Sequence, residues 1–223
     1  MFTSEKLVAS LCDVTPAPVP AATDPLVLEP AARTLLFSEA RTANAFAPEP
    51  VTDEQLEAIW SLAKWPPTMA NTNPLRWVVV RSAEAKARLL PLLSEGNRAK
   101  TESAPATVVL AADVDFHEDI PRLMPPKPEL KANFDGDEKA GLREALARNN
   151  AWLQAGYFII AARAAGLATG PMGGFDAAGI DAEFLAGTTH KSILVVNLGL
   201  PATEGAWFDR LPRHDFDEVV TEA

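Results

Sequence analysis

The sequence predicts an α+β domain in which a sheet of buried strands is covered by helices. Three observations carry this expectation. Trp77–Val80, Thr107–Ala111 and Ser192–Gly199 are continuous apolar runs of strand length, the pattern of strands covered on both faces. Segments with helical periodicity alternate with these runs, and no internal repeat is present. The third observation is Glu138–Ala165, a long Ala-rich stretch that becomes apolar nearly all round from Asn149, broken only by Gln154 and Arg163. A helix of that kind belongs inside a core.

Taken in order, residues 1–30 stand apart. Pro16, Pro18, Pro20, Pro25 and Pro30 punctuate an Ala/Val/Thr run, which favours an extended arm, so the domain proper is expected at 31–223. Leu7–Leu11 is too short an apolar region for a secretion signal, and Glu5 spoils its basic flank. Ala31–Thr42 reads as a short amphipathic helix. Thr52 opens the next, because Thr52-Asp53-Glu54-Gln55 is a capping-box pattern, and Leu56, Ile59, Trp60 and Ala63 form its buried stripe. Trp65-Pro66-Pro67 stops that helix, and a polar loop follows over Thr68–Pro74. Ala83–Leu93 is helical, with Gly96-Asn97 as its end. Asp115–Asp137, punctuated by Pro121, Pro125, Pro126, Pro128 and Gly136, reads as a long excursion of the kind that serves as a lid or binding loop. Gly166 caps the long helix, since glycine accepts the left-handed terminal conformation. Gly170-Pro171-Met172-Gly173-Gly174 then reads as a rigid turn able to press its peptide N–H groups against a flat ligand. Ile180–Leu185 is a short helix.

Composition narrows the function. The 223 residues are 48% hydrophobic, enough for one sizeable core, and carry a formal net charge of -10. So acidic a chain gains nothing from counterion release, which argues against nucleic acid, and it is repelled by anionic membrane surfaces. No apolar run is long enough to span a bilayer. The single cysteine, Cys12, permits no internal disulfide and fits a reducing cytoplasm.

The chain has no G-x-G-x-x-G fingerprint, no phosphate-binding P-loop and no Gly-x-Ser-x-Gly elbow. Ser61-Leu62-Ala63-Lys64 matches S-x-x-K by chance, inside an amphipathic helix and without companion motifs. His117, His190 and His214 lie far apart without ligand spacing, so no metal site is expected and each reads as a surface or hydrogen-bonding histidine. What remains is a scattered polar set at the ends of apolar elements: Arg41, Thr68, Asn71, Asn97, Lys100, Arg210 and Arg213. Singly each is an ordinary solvated residue. Together they suit a flat hydrogen-bonding ring with an anionic tail, because arginine grips phosphate through paired donors while Asn and Lys suit a pyrimidine edge.

These motifs resemble the FMN-dependent nitroreductase family. The matching stretches are Glu39-Ala40-Arg41-Thr42-Ala43-Asn44, Trp65-Pro66-Pro67-Thr68-Met69-Ala70-Asn71-Thr72-Asn73-Pro74, Glu95-Gly96-Asn97-Arg98-Ala99-Lys100, Gly170-Pro171-Met172-Gly173-Gly174-Phe175-Asp176 and Arg210-Leu211-Pro212-Arg213. They run in family order from about residue 31 to the end. Gly170-Pro171-Met172, Gly174-Phe175-Asp176 and the Arg210–Arg213 ending bring the chain nearest to the malonic semialdehyde reductase branch of pyrimidine utilisation. The resemblance implies a three-layer sandwich with an antiparallel-rich mixed sheet, a homodimer, and FMN at each subunit interface with NADH or NADPH as donor. Arg41 and Arg213 become phosphate ligands assisted by Arg210, with Thr42 and Asn44 alongside. Pro67, Thr68, Asn71, Asn97, Lys100 and Pro171 become flavin neighbours, and the peptides at Met172 and Gly173 face N5. Phe134, in the long excursion, either covers the substrate or is a plain hydrophobic anchor for that loop. Two departures stand out: Thr42-Ala43 replaces a basic or serine residue common after the first arginine, and Pro67 replaces a small one. The implied activity is hydride relay through flavin N5, to malonic semialdehyde or to a nitroaromatic or quinone. A non-catalytic flavin-binding protein and a cofactor-free adaptor are the rival readings.

Overall fold

A computed structural model describes residues 25–223; the arm expected at 1–30 lies mostly outside the described residues, and its last part, 25–30, is exposed. The elements are α1 (Pro30–Arg33, continued by a wider π-type turn at Thr34–Ser38), α2 (Asp53–Ala63), β1 (Leu75–Val80), α3 (Ala83–Leu89), α4 (Glu95–Ser103), β2 (Ala106–Asp113), α5 (Ile120–Leu123), α6 (Ala140–Ala164), β3 (Ala168–Met172), α7 (Ala177–Phe184), β4 (His190–Gly199) and α8 (Phe216–Val219). The four strands form one sheet in the order β1-β2-β4-β3. Every pairing is antiparallel, so among the described residues the sheet is not mixed, as expected from the resemblance, but antiparallel throughout.

Period-two alternation builds the layers. Val108, Leu110, Val196 and Leu198 face Ile59 of α2 and Ala151, Phe158 and Ala162 of α6. Their neighbours Val109 and Val195 face the other way, onto Leu89, Leu93 and Ile180 around α3 and α7. The result is helix, sheet and helix, the expected sandwich. Phe158 alone, fully buried, stabilises the fold by about 1.5–3 kcal/mol.

The capping box of α2 is present in full: Gln55 N–H donates to Thr52 Oγ1 at 3.2 Å, and Thr52 N–H to Gln55 Oε1 at 3.0 Å. Gly166 ends α6 at φ +78°, as expected. Several expectations are corrected. The first helix stops at Ser38, and 39–44 belongs to no helix or strand. Gly96 and Asn97 do not end a helix; they lie in the first turn of α4. Trp60 is 42% exposed rather than part of the buried stripe, because it leans edge-on against Trp77 at the margin of the sheet. The Gly170–Met172 part of the expected turn is strand, hydrogen-bonded to β4. The excursion at 115–137 is a chain of short helical turns rather than open loop. Finally, α6 does have a face without cover: Leu142, Trp152, Leu153 and Tyr157 are about half exposed in the single chain.

Gln154, which seemed to interrupt α6, is structural, as is Asn150 one turn before it. Asn150 Oδ1 accepts from Met69 N–H at 2.8 Å, and the fully buried Gln154 Oε1 accepts from Leu75 N–H at 3.0 Å. They satisfy backbone donors of the loop that enters β1, groups that would otherwise be costly to bury.

Candidate functional site

The free edge of β3 organises the first cluster. Ala43 N–H donates to Thr169 O at 2.9 Å, so the 41–44 segment lies against that edge. Gly170 makes the approach possible: a Cβ there would sit 2.7 Å from Ala43 O. Asn44 N–H in turn donates to Ala206 O at 2.9 Å, which brings in the C-terminal segment. Arg41 Nη1 donates to Phe208 O at 3.2 Å, and its guanidinium stands 5.7 Å from the Trp207 ring centre. Arg210 Nη2 donates to Ala40 O at 3.2 Å and to Ser38 O. Arg213 donates to Leu211 O and Pro212 O, at 3.0 and 2.9 Å. Between these chains lies a cleft of ≈ 220 Å³ lined by Arg41, Thr42, Asn44, Arg210 and Arg213, with Asp209 as its one acid. Two stretches distant in sequence, one with Arg41 and the other with Arg210 and Arg213, thus bring three guanidiniums to one cleft, a donor set suited to a phosphate.

The second cluster stands at the C-terminal end of β3. Ser94 N–H donates to Gly174 O at 3.0 Å, and Asn97 Nδ2 donates to the same oxygen at 2.8 Å. Gly174 is tightly cradled, since a Cβ would meet Ser94 Oγ at 2.8 Å and Asn97 Nδ2 at 2.9 Å. A Cβ on Gly173, by contrast, would meet nothing within 4 Å, so its backbone is open to a ligand. Pro171 is half-buried, and Met172 is buried beside Thr101, its sulfur 3.7 Å from Thr101 Oγ1. Lys100, on α4 with Asn97, is half-buried, and burial pulls its ammonium below the usual lysine range.

Thr68 and Asn71 are not brought to either cluster. They belong to the loop before β1, at the opposite edge of the sheet from β3. Ala70, Asn71 and Asn73 all take positive φ there (46°, 52° and 43°), a conformation that costs non-glycine residues energy. Asn71 Nδ2 donates to Leu123 O at 2.7 Å, its Oδ1 accepts from Asn73 Nδ2 at 2.9 Å, and Thr68 Oγ1 accepts from Asn73 N–H at 3.2 Å. Pro67 is exposed beside them. Phe134 packs its ring 5.5 Å from that of Phe116 against the core, the arrangement of a hydrophobic anchor for the excursion.

His117 is buried rather than superficial, and its Nε2 lies 3.5 and 3.6 Å from Glu118 and Asp135 carboxylate oxygens. Three such groups resemble a metal site, yet Lys131 Nζ already supplies a cation to both carboxylates, at 3.2 and 2.7 Å. Sequence reading missed Trp207 and Ser94. An aromatic residue shortly before the Arg210–Arg213 pair was a signal for the first; Ser94 had none.

Comparisons with known proteins identify the family and the fold. Residues 38–200 match the model of the Nitroreductase family. A Streptomyces griseus protein provisionally named NADH dehydrogenase/NAD(P)H nitroreductase is 56% identical over 196 residues, covering 88% of this chain and 98% of its own. A Leptothrix cholodnii protein of the same name is 54% identical over 182 residues, 82% of this chain and 91% of its own. Among solved structures, ydfN of Bacillus subtilis, provisionally named a nitroreductase, superposes with TM-score 0.74 at 22% identity, over 86% of this chain and 99% of its own. A protein from Exiguobacterium sibiricum, provisionally named a nitroreductase and solved in complex with FMN, gives TM-score 0.71 at 18% identity, over 92% of this chain and 100% of its own. At such identities these structures speak for the shared fold.

Proposed function

Because the chain belongs to the nitroreductase family, a family of oxidoreductases, we propose that it is a homodimeric flavoenzyme that holds FMN between two chains and uses NADH or NADPH to reduce malonic semialdehyde to 3-hydroxypropanoate. One observation carries the reading: Arg41, Arg210 and Arg213 converge with Thr42 and Asn44 on one cleft beside the strand that ends in the open peptide of Gly173. The residues fit the cofactor. The arginine cleft would take the phosphate, Asn97 and Lys100 would meet the polar edge of the ring, and the bare backbone at Gly173 would stand against its centre. When bound, FMN accepts and returns hydride at N5, chemistry that no side chain supplies. The chain's own work is to bind, orient and set charge. Lys100 favours negative charge gathering on the ring edge, and it does so in a partly dehydrated place where such charge is stabilised more strongly.

Two features support a dimer. Pro67, Thr68 and Asn71 stand at the opposite sheet edge from the arginine cleft, so a second copy is the simplest way to bring both sets to one ring. The uncovered Trp152, Leu153 and Tyr157 of α6 and the exposed Phe208, Leu211 and Phe216 of the C-terminal segment supply apolar surface for it. The branch, and with it malonic semialdehyde, rests on the Gly170–Asp176 and Arg210–Arg213 motifs alone. A second reading is a broad nitroaromatic or quinone reductase; the nitroreductase in the relatives' names favours its nitroaromatic part. Among the described residues no helix is long and apolar enough to cross a membrane; with one cysteine and a nicotinamide donor, the cytoplasm suits the chain.

The experiment is anaerobic titration of the purified protein. A yellow, FMN-loaded sample bleached by NADH or NADPH, then recoloured fastest by malonic semialdehyde, supports the full reading. Recolouring by nitroaromatics or quinones alone moves the acceptor to the second reading. A yellow sample that neither donor bleaches leaves only flavin binding.

A further inference from the structure

A second cavity, of ≈ 640 Å³, opens beside the Asn71 loop. Its walls combine two features. Two indoles face outward, Trp65 at 72% exposure and Trp60 at 42%, although large aromatic surface is costly to leave in water. Three cations, Lys64, Arg76 and Arg122, stand against one lining carboxylate, Asp119, on a protein whose net charge is -10.

The cations are not equally engaged. Arg76 is tied to Asp113 at 2.7 Å and reaches Asp119 at 3.5 Å. Arg122 shares Asp119 through a 2.8 Å contact on a side chain that is 70% exposed. Lys64 makes no ion pair among the described residues; its ammonium stands 5.1 Å from the Trp65 ring centre. This is a cation held against an exposed π-face, in a cavity that also presents the exposed guanidinium of Arg122. Such a pairing recognises a flat heterocycle carrying phosphate: the ring stacks on the indole, and the phosphates take the ammonium and guanidinium. The volume is in the range of small-molecule sites and much larger than a three-carbon acceptor needs.

Location narrows the ligand further. Asn71 and Leu123 line the same cavity, and they are joined by the 2.7 Å hydrogen bond from Asn71 Nδ2 to Leu123 O. If Asn71 meets the flavin ring, the cavity begins where the ring ends. We propose that this cavity seats the adenosine diphosphate end of the nicotinamide donor, with the purine on Trp65 and the pyrophosphate on Lys64 and Arg122. The inference rests on the donor role proposed above. It gives the chain a dinucleotide grip without a Rossmann fingerprint.

The test uses full-length FMN-loaded protein and two readouts. In the first, adenosine 5′-diphosphate is titrated and followed by calorimetry and by tryptophan fluorescence, with adenosine as the uncharged control. Binding with quenching is expected. Lys64→Glu should weaken it about tenfold, the loss of one charge-assisted contact, and Trp65→Ala should weaken it and remove most of the quenching. In the second, flavin bleaching is followed by stopped flow against donor concentration. Lys64→Glu should raise the half-saturating NADH or NADPH concentration about tenfold and change the limiting rate far less. Adenosine 5′-diphosphate binding and donor dependence that are unchanged in both variants would overturn the assignment. So would a Trp65→Ala protein that separates into single chains yet binds the diphosphate as before, since Trp65 would then be an interface residue. If neither donor bleaches the wild-type protein, the flavoenzyme reading fails, and the calorimetric arm still decides the cavity.

Discussion

The two edges of the sheet are built in opposite ways. At the β3 edge, residues from positions 41–44, 94–100, 170–174 and 206–213 are drawn together by backbone hydrogen bonds, and two glycines make room for the contacts. At the β1 edge, one short loop is bent into left-handed conformations and pinned from beneath by Asn150 and Gln154 of α6. The first edge assembles a cleft within one chain; the second displays Asn71 and its neighbours outward. The difference sharpens the proposed dimer: if FMN lies between two chains, each copy would give the β3 half of one site and the β1 half of the other.

The strongest test of that view is complementation. Arg213→Ala damages the β3 half and Asn71→Gly the β1 half; glycine is chosen because it keeps the positive φ without strain. Each homodimer is expected to lose FMN. A heterodimer of the two carries one site with both lesions and one with neither, so it should retain FMN at about half the wild-type stoichiometry. If both halves of each site came from the same chain, both sites of the heterodimer would be damaged and nothing would be regained.

Gly170→Ala separates the edges by stability. The added methyl would lie 2.7 Å from Ala43 O, a backbone atom that cannot move without releasing the 41–44 segment. A loss of about 1–3 kcal/mol is expected on denaturation, together with weakened FMN retention, because Arg41 follows Ala43 off the strand. A variant of unchanged stability that keeps its FMN would show that the close approach does not hold the cleft together.

Arg213→Ala by itself probes the cleft without touching the scaffold, since Arg213 is exposed and donates only to nearby carbonyls. FMN affinity should fall by roughly 1.5–3 kcal/mol, the worth of a hydrogen bond to a charged group, with melting of the FMN-free protein unchanged. Equilibrium dialysis reads the affinity, and an unaltered value would remove Arg213 from the phosphate site.

The contrast also explains what could be read from the residues alone. Strands β2 and β4 are buried on both faces, so continuous apolar runs revealed them. Strand β3 hid in Ala168-Thr169-Gly170-Pro171-Met172, which has turn composition; its glycine is there for close packing against Ala43, not for a bend. Gly96 misled for a similar reason: it begins α4 instead of ending α3. The polar residues of the β3 edge were recognisable by type, and their convergence required the fold. Gln154 looked like a blemish on an apolar helix because its partner, Leu75 N–H, lies 79 residues away in sequence.

Lys100 gives the smallest and most diagnostic effect, because its two consequences have opposite signs. Burial lowers its folded pKa below the unfolded value, so the charged form is disfavoured on folding. For a lysine shifted this way, the penalty is present in full at neutral pH and fades only as pH rises through the folded pKa. Lys100→Met removes the penalty and keeps the packing of the stem, so the FMN-free protein should melt slightly higher at neutral pH. The same variant should bind FMN less tightly, having lost the charge that meets the ring edge. The stability advantage should shrink toward alkaline pH, where wild-type Lys100 sheds its proton in the folded state. A variant that melts lower than wild type at neutral pH would show that Lys100 serves the fold of the β3 edge, and the case for its role at the ring would go with it.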